Sequence, residues 1–225
     1  MSWSDVSPIV VDIETCGLPN AADYLEPVQA DKRLKDPEKI KADLAEKEQA
    51  RIDKLALDWN VGRIAAIGWW TAGEDTTVLV NTDETQEAES LEIFWRRAKH
   101  RTIVGFNIKG FDLPFMVQRS RYLGIAYPTL DFSKYSRKGI ADLYLELTFG
   151  QGTYDQGAMR RSLGAFCKRF GIPVSDEVKG AEIPALVAAG DWAKVRAHLT
   201  SDVDLTRALA IKLGAVVMEP ENVGL

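Results

Sequence analysis

Pro8-Ile9-Val10-Val11-Asp12-Ile13-Glu14-Thr15-Cys16-Gly17-Leu18 is the stretch on which the reading of the chain turns. Four apolar residues lead into two acids separated by one isoleucine, and a Thr-Cys-Gly turn follows. On a β-strand, positions i and i+2 project from the same face, so Asp12 and Glu14 stand side by side at the end of a strand whose beginning is buried. Carboxylates held that close repel one another unless they share a proton or a cation. A lone Asp-x-Glu is commonly a solvated strand end, so the remaining sequence has to decide between decoration and chemistry.

The frame around that strand is ordinary. A chain of 225 residues with 46% hydrophobic and 27% charged residues can bury a real core, and it reads as a single domain over 1–225. A net charge of -5 argues against coating duplex nucleic acid by bulk electrostatics, but it leaves room for a local grip on a short end. Two cysteines, Cys16 and Cys167, make no disulfide framework, so a reducing cytoplasm is expected. The first residues lack the basic and apolar regions of a secretory signal, and no apolar run is long enough for a membrane span.

Downstream of the strand, residues 20–60 change character. Asp31 to Asp58 interleaves eight acids with eight bases, and Asp36-Pro37-Glu38 has the form of a helix start. This predicts a mostly solvated helical insertion, either a surface decoration or a clamp over the acids. Gly62 to Trp70 and Thr76 to Val80, joined by a short turn, predict an antiparallel hairpin. Gln86 to His100 is an amphipathic helix, Thr102 to Asn107 a short buried strand, and Asp112 with Pro114 opens another helix. Ile140 to Leu143 is a last short strand. Three helices follow: Ser162 to Phe170, Ile183 to Ala189, and one from Asp191 to about Val217. A hairpin, then strand-helix units, then helices predict an α/β fold, a mixed central sheet flanked by helices. No phosphate-binding glycine motif follows the first strand.

Further acids then come into view. Asp112 lies just past the strand at Val104, with Asn107 and Phe111 beside it. On the last helix, Val195, Leu199 and Val203 mark the apolar stripe; Asp202 falls close to that stripe and Asp204 nearly opposite, so Asp202 points inward. An inward acid needs a partner, and His198 sits one turn earlier on the edge of the same face. Asp142, a fifth acid near a strand end, is read as structural. Asp12, Glu14, Asp112 and Asp202 are hard oxygen ligands without a cysteine or histidine cluster. If they converge, they suit one or two Mg²⁺ or Mn²⁺ ions rather than zinc.

These motifs resemble the DEDD superfamily of 3′→5′ exonucleases, which have a ribonuclease H-like fold, and most closely the bacterial and phage group related to the proofreading domain of family B DNA polymerases. Asp12-Ile13-Glu14-Thr15 with Gly17-Leu18 matches the first motif, Asn107 with Phe111-Asp112 the second, and His198 with Asp202-Val203 the third. The resemblance covers roughly residues 8–213 apart from the insertion. It implies that Asp12, Glu14, Asp112 and Asp202 bind two Mg²⁺ or Mn²⁺ ions, with Asp12 bridging them, and that His198 positions or deprotonates the attacking water. The family's tyrosine branch places Tyr four residues before the last Asp, and its histidine branch places His five before. His198 combines the histidine identity with the tyrosine spacing.

The same resemblance makes Thr15, Cys16, Gly17, Leu18, Asn107, Phe111 and Lys179 substrate contacts. The partner it implies is a single-stranded 3′ end, DNA rather than RNA, with replication or repair proteins nearby and no membrane. Two clusters, Lys134-Arg137-Lys138 and Arg160-Arg161-Lys168-Arg169, offer basic charge locally. The competing readings are an exoribonuclease of the same fold and a catalytically silent nucleic-acid-binding or polymerase accessory module. Duplex ribonuclease H chemistry fits the Asp-x-Glu start and the helical third motif less well.

Overall fold

The computed structural model describes residues 7–133, 136, 138–150, 161–175 and 178–216. The central strand is β1 (Pro8–Gly17). On one side of it, β2 (Gly62–Thr71) and β3 (Thr77–Val80) add as an antiparallel hairpin. On the other side, β4 (Thr102–Gly105) runs parallel to β1, and β5 (Ile140–Asp142) runs parallel to β4. The result is a mixed five-stranded sheet in the order β3-β2-β1-β4-β5.

Helices cover both faces. One face carries α2 (Glu84–Ala98) and α3 (Asp112–Leu123), whose Leu91, Phe94, Leu113 and Phe115 pack on Ile9, Val11 and Ile13 of β1. The other carries α5 (Leu163–Arg169), α6 (Ile183–Ala188) and α7 (Trp192–Lys212), whose Val195, Leu199 and Val203 share a core with Val10. A sheet covered on both faces needs strands that are apolar throughout, and every residue of β2 is buried. Between β5 and α5, α4 (Leu143–Leu147) makes a single short turn.

Alternation along β1 therefore sorts its side chains between two cores. The odd positions Ile9, Val11 and Ile13 join α2 and α3; Val10 joins α7, and Asp12 and Glu14 follow it on that face. Gly68, which pairs with Asp12 across the β1–β2 ladder, lets α7 come close. A Cβ there would lie 2.8 Å from Leu199 Cγ.

A buried ion pair ties the α2–α3 layer to the sheet. Arg119 of α3 donates through Nε and Nη2 to both carboxylate oxygens of Glu87, each at 2.8 Å, and Glu87 Oε1 also accepts the Ile64 N–H at 2.9 Å. Arg119 reaches Glu84 as well, at 2.6 Å. Each charge is thus met by an opposite one and held by several hydrogen bonds, which offsets the cost of burying it.

The insertion divides into two parts. In α1 (Pro37–Ile52) Asp36 caps the first turn and no residue is buried, so the helix stands as a solvated surface element. The stretch after it behaves differently. A 3-10 turn over Leu55–Leu57 is pinned to β1 by the Thr15 hydroxyl, which donates to the Ala56 carbonyl at 2.5 Å. The Tyr122 hydroxyl of α3 donates to Asn60 Oδ1 at 2.9 Å and holds the far end. Several boundaries differ from the sequence expectation, most of them by one or two residues. α2 starts at Glu84 because Asp83 caps it through the Gln86 N–H, β4 stops at Gly105, and α7 ends at Lys212, where Gly214 turns left-handed at φ 70°.

Candidate active site

β1 and β4 stay paired only as far as Val10 and Val104. Beyond that point β4 turns away, and the edge of β1 that faced it opens. Asp12 and Glu14 lie in this opened stretch, still paired with Gly68 and Ala66 of β2. They are thus in mid-strand towards β2 and past the strand end towards β4, a refinement of the strand-end position expected from the sequence. The ladder slips just after Glu14: Thr15 pairs with Ile64, leaving Ala65 as the extra residue of a bulge.

Asp112 arrives over the open edge. The turn that delivers it starts at Asn107, left-handed at φ 61°, a conformation asparagine tolerates better than most residues. The Asn107 carbonyl accepts the N–H groups of Gly110 and Phe111 at 3.0 and 3.1 Å. Gly110 leaves room for the Asn107 amide, since a Cβ there would lie 2.6 Å from Asn107 Oδ1 and push it aside. Asp142 anchors the base of the turn, accepting N–H groups from Asn107 and Lys109 as well as from Tyr144 and Leu145 at the start of α4. Asp112 is therefore the first residue of α3 and not its cap. Its Oδ1 accepts the Ile13 N–H at 3.2 Å. That carboxylate stands where a carbonyl of β4 would have been, and so satisfies a buried edge donor.

Burial and like charge govern the electrostatics of Asp12 and Asp112. Burial pushes the Asp112 carboxyl up to about 7. Asp12 is raised well above the usual carboxylate range by burial first, then by the charges of Asp112, Asp202 and Glu14. Burial and the neighbouring acids thus favour a proton within the Asp12–Asp112 pair. From α7, His198 Nε2 lies 3.3 Å from Glu14 Oε1 and 3.8 Å from Asp202 Oδ2. One donor atom from each of Glu14, His198 and Asp202 falls within 4.8 Å of the others, a group able to hold a metal ion. Asp204, on the opposite side of α7, accepts from the Thr76 hydroxyl at 2.7 Å and takes no part. The structure thus brings together Asp12, Glu14, Asp112, His198 and Asp202.

Beside these acids opens a cleft of about 630 Å³, lined by Asp12 and Asp112 with Asn107, Phe111, Phe106 and Tyr144 on its walls. Phe106 is braced edge-on against Tyr144 at 5.4 Å and tilted against Phe166 at 5.9 Å. Leu57 of the insertion and Arg161 also line it. Of the expected substrate contacts, Asn107 and Phe111 line this cleft. Thr15, Cys16, Gly17 and Leu18 do not: Thr15 is committed to Ala56, Cys16 is buried, Gly17 lies against Leu55, and Leu18 packs with Ala21 and Val61. Lys179 is exposed just before α6, which packs against β1. Arg161 is the basic residue that reaches the cleft; Lys138, Lys168 and Arg169 are exposed elsewhere, and Lys134, Arg137 and Arg160 lie outside the described residues. Sequence reasoning passed over Phe106, Tyr144 and Leu57. Phe106 stands next to Asn107 of the second motif, whereas nothing local marks Leu57.

A family model described as a predicted 3′-5′ exonuclease related to the exonuclease domain of PolB matches residues 57–216. The chain belongs to this family. The match takes in Asp112, His198 and Asp202, while Asp12 and Glu14 precede it. Among solved structures, the family B DNA polymerase of the hyperthermophilic archaeon Pyrobaculum calidifontis is similar over 92% of this chain, at 17% identity and a TM-score of 0.61. The chain spans 24% of that polymerase's length, and the likeness bears out the ribonuclease H-like fold. No curated protein matches the sequence. Among the described residues, no helix of this PolB-type exonuclease relative is long and apolar enough to cross a membrane.

Proposed function

We propose that the protein is a metal-dependent 3′→5′ exonuclease that removes nucleoside monophosphates from single-stranded ends, DNA in preference to RNA. The observation that carries this reading is the convergence of Asp12, Glu14, Asp112 and Asp202 from three elements on the open edge of β1, beside a cleft walled by aromatic rings. Membership of the PolB-related exonuclease family supports it.

The donor set fits a divalent ion. Hard carboxylate oxygens dominate, and the burial and like charge that raise Asp12 are what a cation would offset. Asp12, Glu14, Asp112 and Asp202 would hold two Mg²⁺ or Mn²⁺ ions. Bound there, such ions stabilise the attacking and leaving oxygens of an in-line displacement at phosphorus.

The protein's own residues do the rest. His198, packed against Glu14 and Asp202, orients the attacking water or takes its proton. Phe106, Phe111 and Tyr144 offer faces for the terminal base, and Arg161 offers charge to a phosphate. Burial on both sides of β1 keeps the acids fixed to the sheet, so the geometry exists before substrate arrives.

The test uses 5′-labelled DNA and RNA oligonucleotides with Mg²⁺, Mn²⁺ or chelator. A ladder shortening from the 3′ end that requires both metal and Asp12, lost in Asp12→Ala, is the expected result. Cleavage of neither polymer under any metal refutes the reading and favours a binding module. His198→Ala with full turnover across pH 6–9 removes His198 from the mechanism.

A further inference from the structure

A second groove, of about 360 Å³, runs along the outer face of α3 and is lined by Trp59, Lys109, Val117, Gln118, Arg121 and Phe132. Two of its rings, Trp59 and Phe132, stay 36% and 40% exposed, although neither is needed by the cores described above. Its described lining contains two cations and no acid. The flanking acids are turned to their own loops: Asp58 accepts from Asn60, and Asp131 from Ser133.

This groove continues the catalytic cleft in three separate segments. Leu57 lines the cleft and Trp59 the groove; Asn107 lines the cleft and Lys109 the groove; Phe111 and Asp112 open α3 in the cleft, and Val117, Gln118 and Arg121 extend it in the groove. The groove-side residues are held in place. Lys109 spends two of its donors on the Ser133 and Ser136 carbonyls, at 2.8 and 2.6 Å, drawing the segment around Phe132 towards α3. Tyr122 bonds Asn60, next to Trp59. Arg121 is set by Tyr127 and Gln118.

Resting on the exonuclease reading above, we propose that this groove binds the single strand upstream of its 3′ terminus, with bases stacked on Trp59 and Phe132 and phosphate charge met by Arg121. Stacking on aromatic faces beside a cationic track is how sequence-tolerant single-strand sites work, since every base has a π-face. From Asp112 to Arg121 the helix advances about 13 Å. At about 3.4 Å per stacked nucleotide, that is room for about four nucleotides behind the scissile bond.

The experiment separates the groove from the catalytic centre by substrate length. The wild type is given the p-nitrophenyl ester of thymidine 5′-monophosphate and oligonucleotides of two to eight residues, with the same series for Trp59→Ala/Phe132→Ala and for Arg121→Ala. The wild-type KM should fall with length and level off at about five residues. In the double variant, KM for the long oligonucleotides should rise roughly tenfold or more, with kcat and ester hydrolysis unchanged. A KM that ignores length, or variants that keep the wild-type KM while hydrolysing the ester normally, overturns the proposal and leaves the groove to a protein partner. If the wild type hydrolyses neither substrate, the exonuclease reading fails. Binding of a fluorescein-labelled octamer, weakened or not by the same substitutions, then still decides about the groove.

Discussion

Two buried charge clusters meet at α3, one where it faces α2 and the sheet and one where it opens over the free edge of β1, and they are built on opposite rules. Arg119 and Glu87 are a matched pair: opposite charges, three hydrogen bonds on the carboxylate, each partner supplied by the chain itself. Asp12 and Asp112 are like groups, both raised above the usual carboxylate range by burial first, and Asp12 further by the acids around it. The first cluster is complete without help and holds α3 against α2 and the sheet. The second sets acid against acid, and we propose that a bound cation completes it. A buried charge that the fold itself answers is architecture, and one that it leaves unanswered marks a place for a ligand.

The contrast can be attacked from either side. The largest effect should come from Asp112→Asn or Asp12→Ala, which we expect to lower 3′→5′ cleavage by ~10³-fold or more, the several kcal/mol of charge stabilisation expected of bound ions. Circular dichroism should stay unchanged. An active, correctly folded Asp112→Asn protein would remove the distinction between the two clusters. Next in size is Arg119→Met, which strands Glu87 in the interior and should cost roughly 3–5 kcal/mol in denaturant unfolding. Turnover per folded molecule should hold, and adding Glu87→Gln should recover much of the loss.

A smaller effect separates the clusters by ligand. Saturating Mn²⁺ or Mg²⁺ should add about 2–3 kcal/mol of stability at a hundredfold excess over Kd. Calorimetry should see this gain in the wild type and in Arg119→Met, and not in Asp12→Ala. The smallest effect is one of pH. With chelator present, the folded protein holds the Asp112 proton up to about 7, whereas the unfolded chain releases it near 3.8. The native state then binds more protons across that window, so stability falls as pH rises from about 4 to about 7. Asp12, raised in the same direction, adds to the fall. Asp112→Asn should flatten the profile and exceed the wild type by roughly 1 kcal/mol at pH 8.

Much of this was legible in the residue order because it is local. Asp36-Pro37, Ser162 and Asp191 cap the helices they announced, and the 62–80 hairpin follows from two apolar runs and a short turn. Asp202 could be separated from Asp204 by helical phase alone. What escaped depends on the third dimension. That Thr15 is tied to Ala56, and Leu18 packed on Val61, follows from where the insertion returns to the sheet, and its sequence carries no trace of that path. Leu57 and Trp59 lie in a charged segment whose helix is solvated throughout, yet the few residues behind that helix wall two clefts. Asp112 was visible as an acid near a helix start. Its role as a stand-in for the missing strand needed the sheet to show where β4 leaves.

Strand β1 also has a consequence for how this protein can vary. Its residues are read in a frame of two, odd positions to one core and even positions to the other, and Asp12 and Glu14 occupy the frame that looks at α7. Loss or gain of one residue between Ile9 and Asp12 would leave composition and hydropathy almost untouched. It would hand the acids to Leu113 and Phe115 and present an isoleucine to His198. An insertion in the charged stretch around α1, which buries nothing, would leave both cores in register. A few residues upstream, a single codon would be enough to disassemble the site.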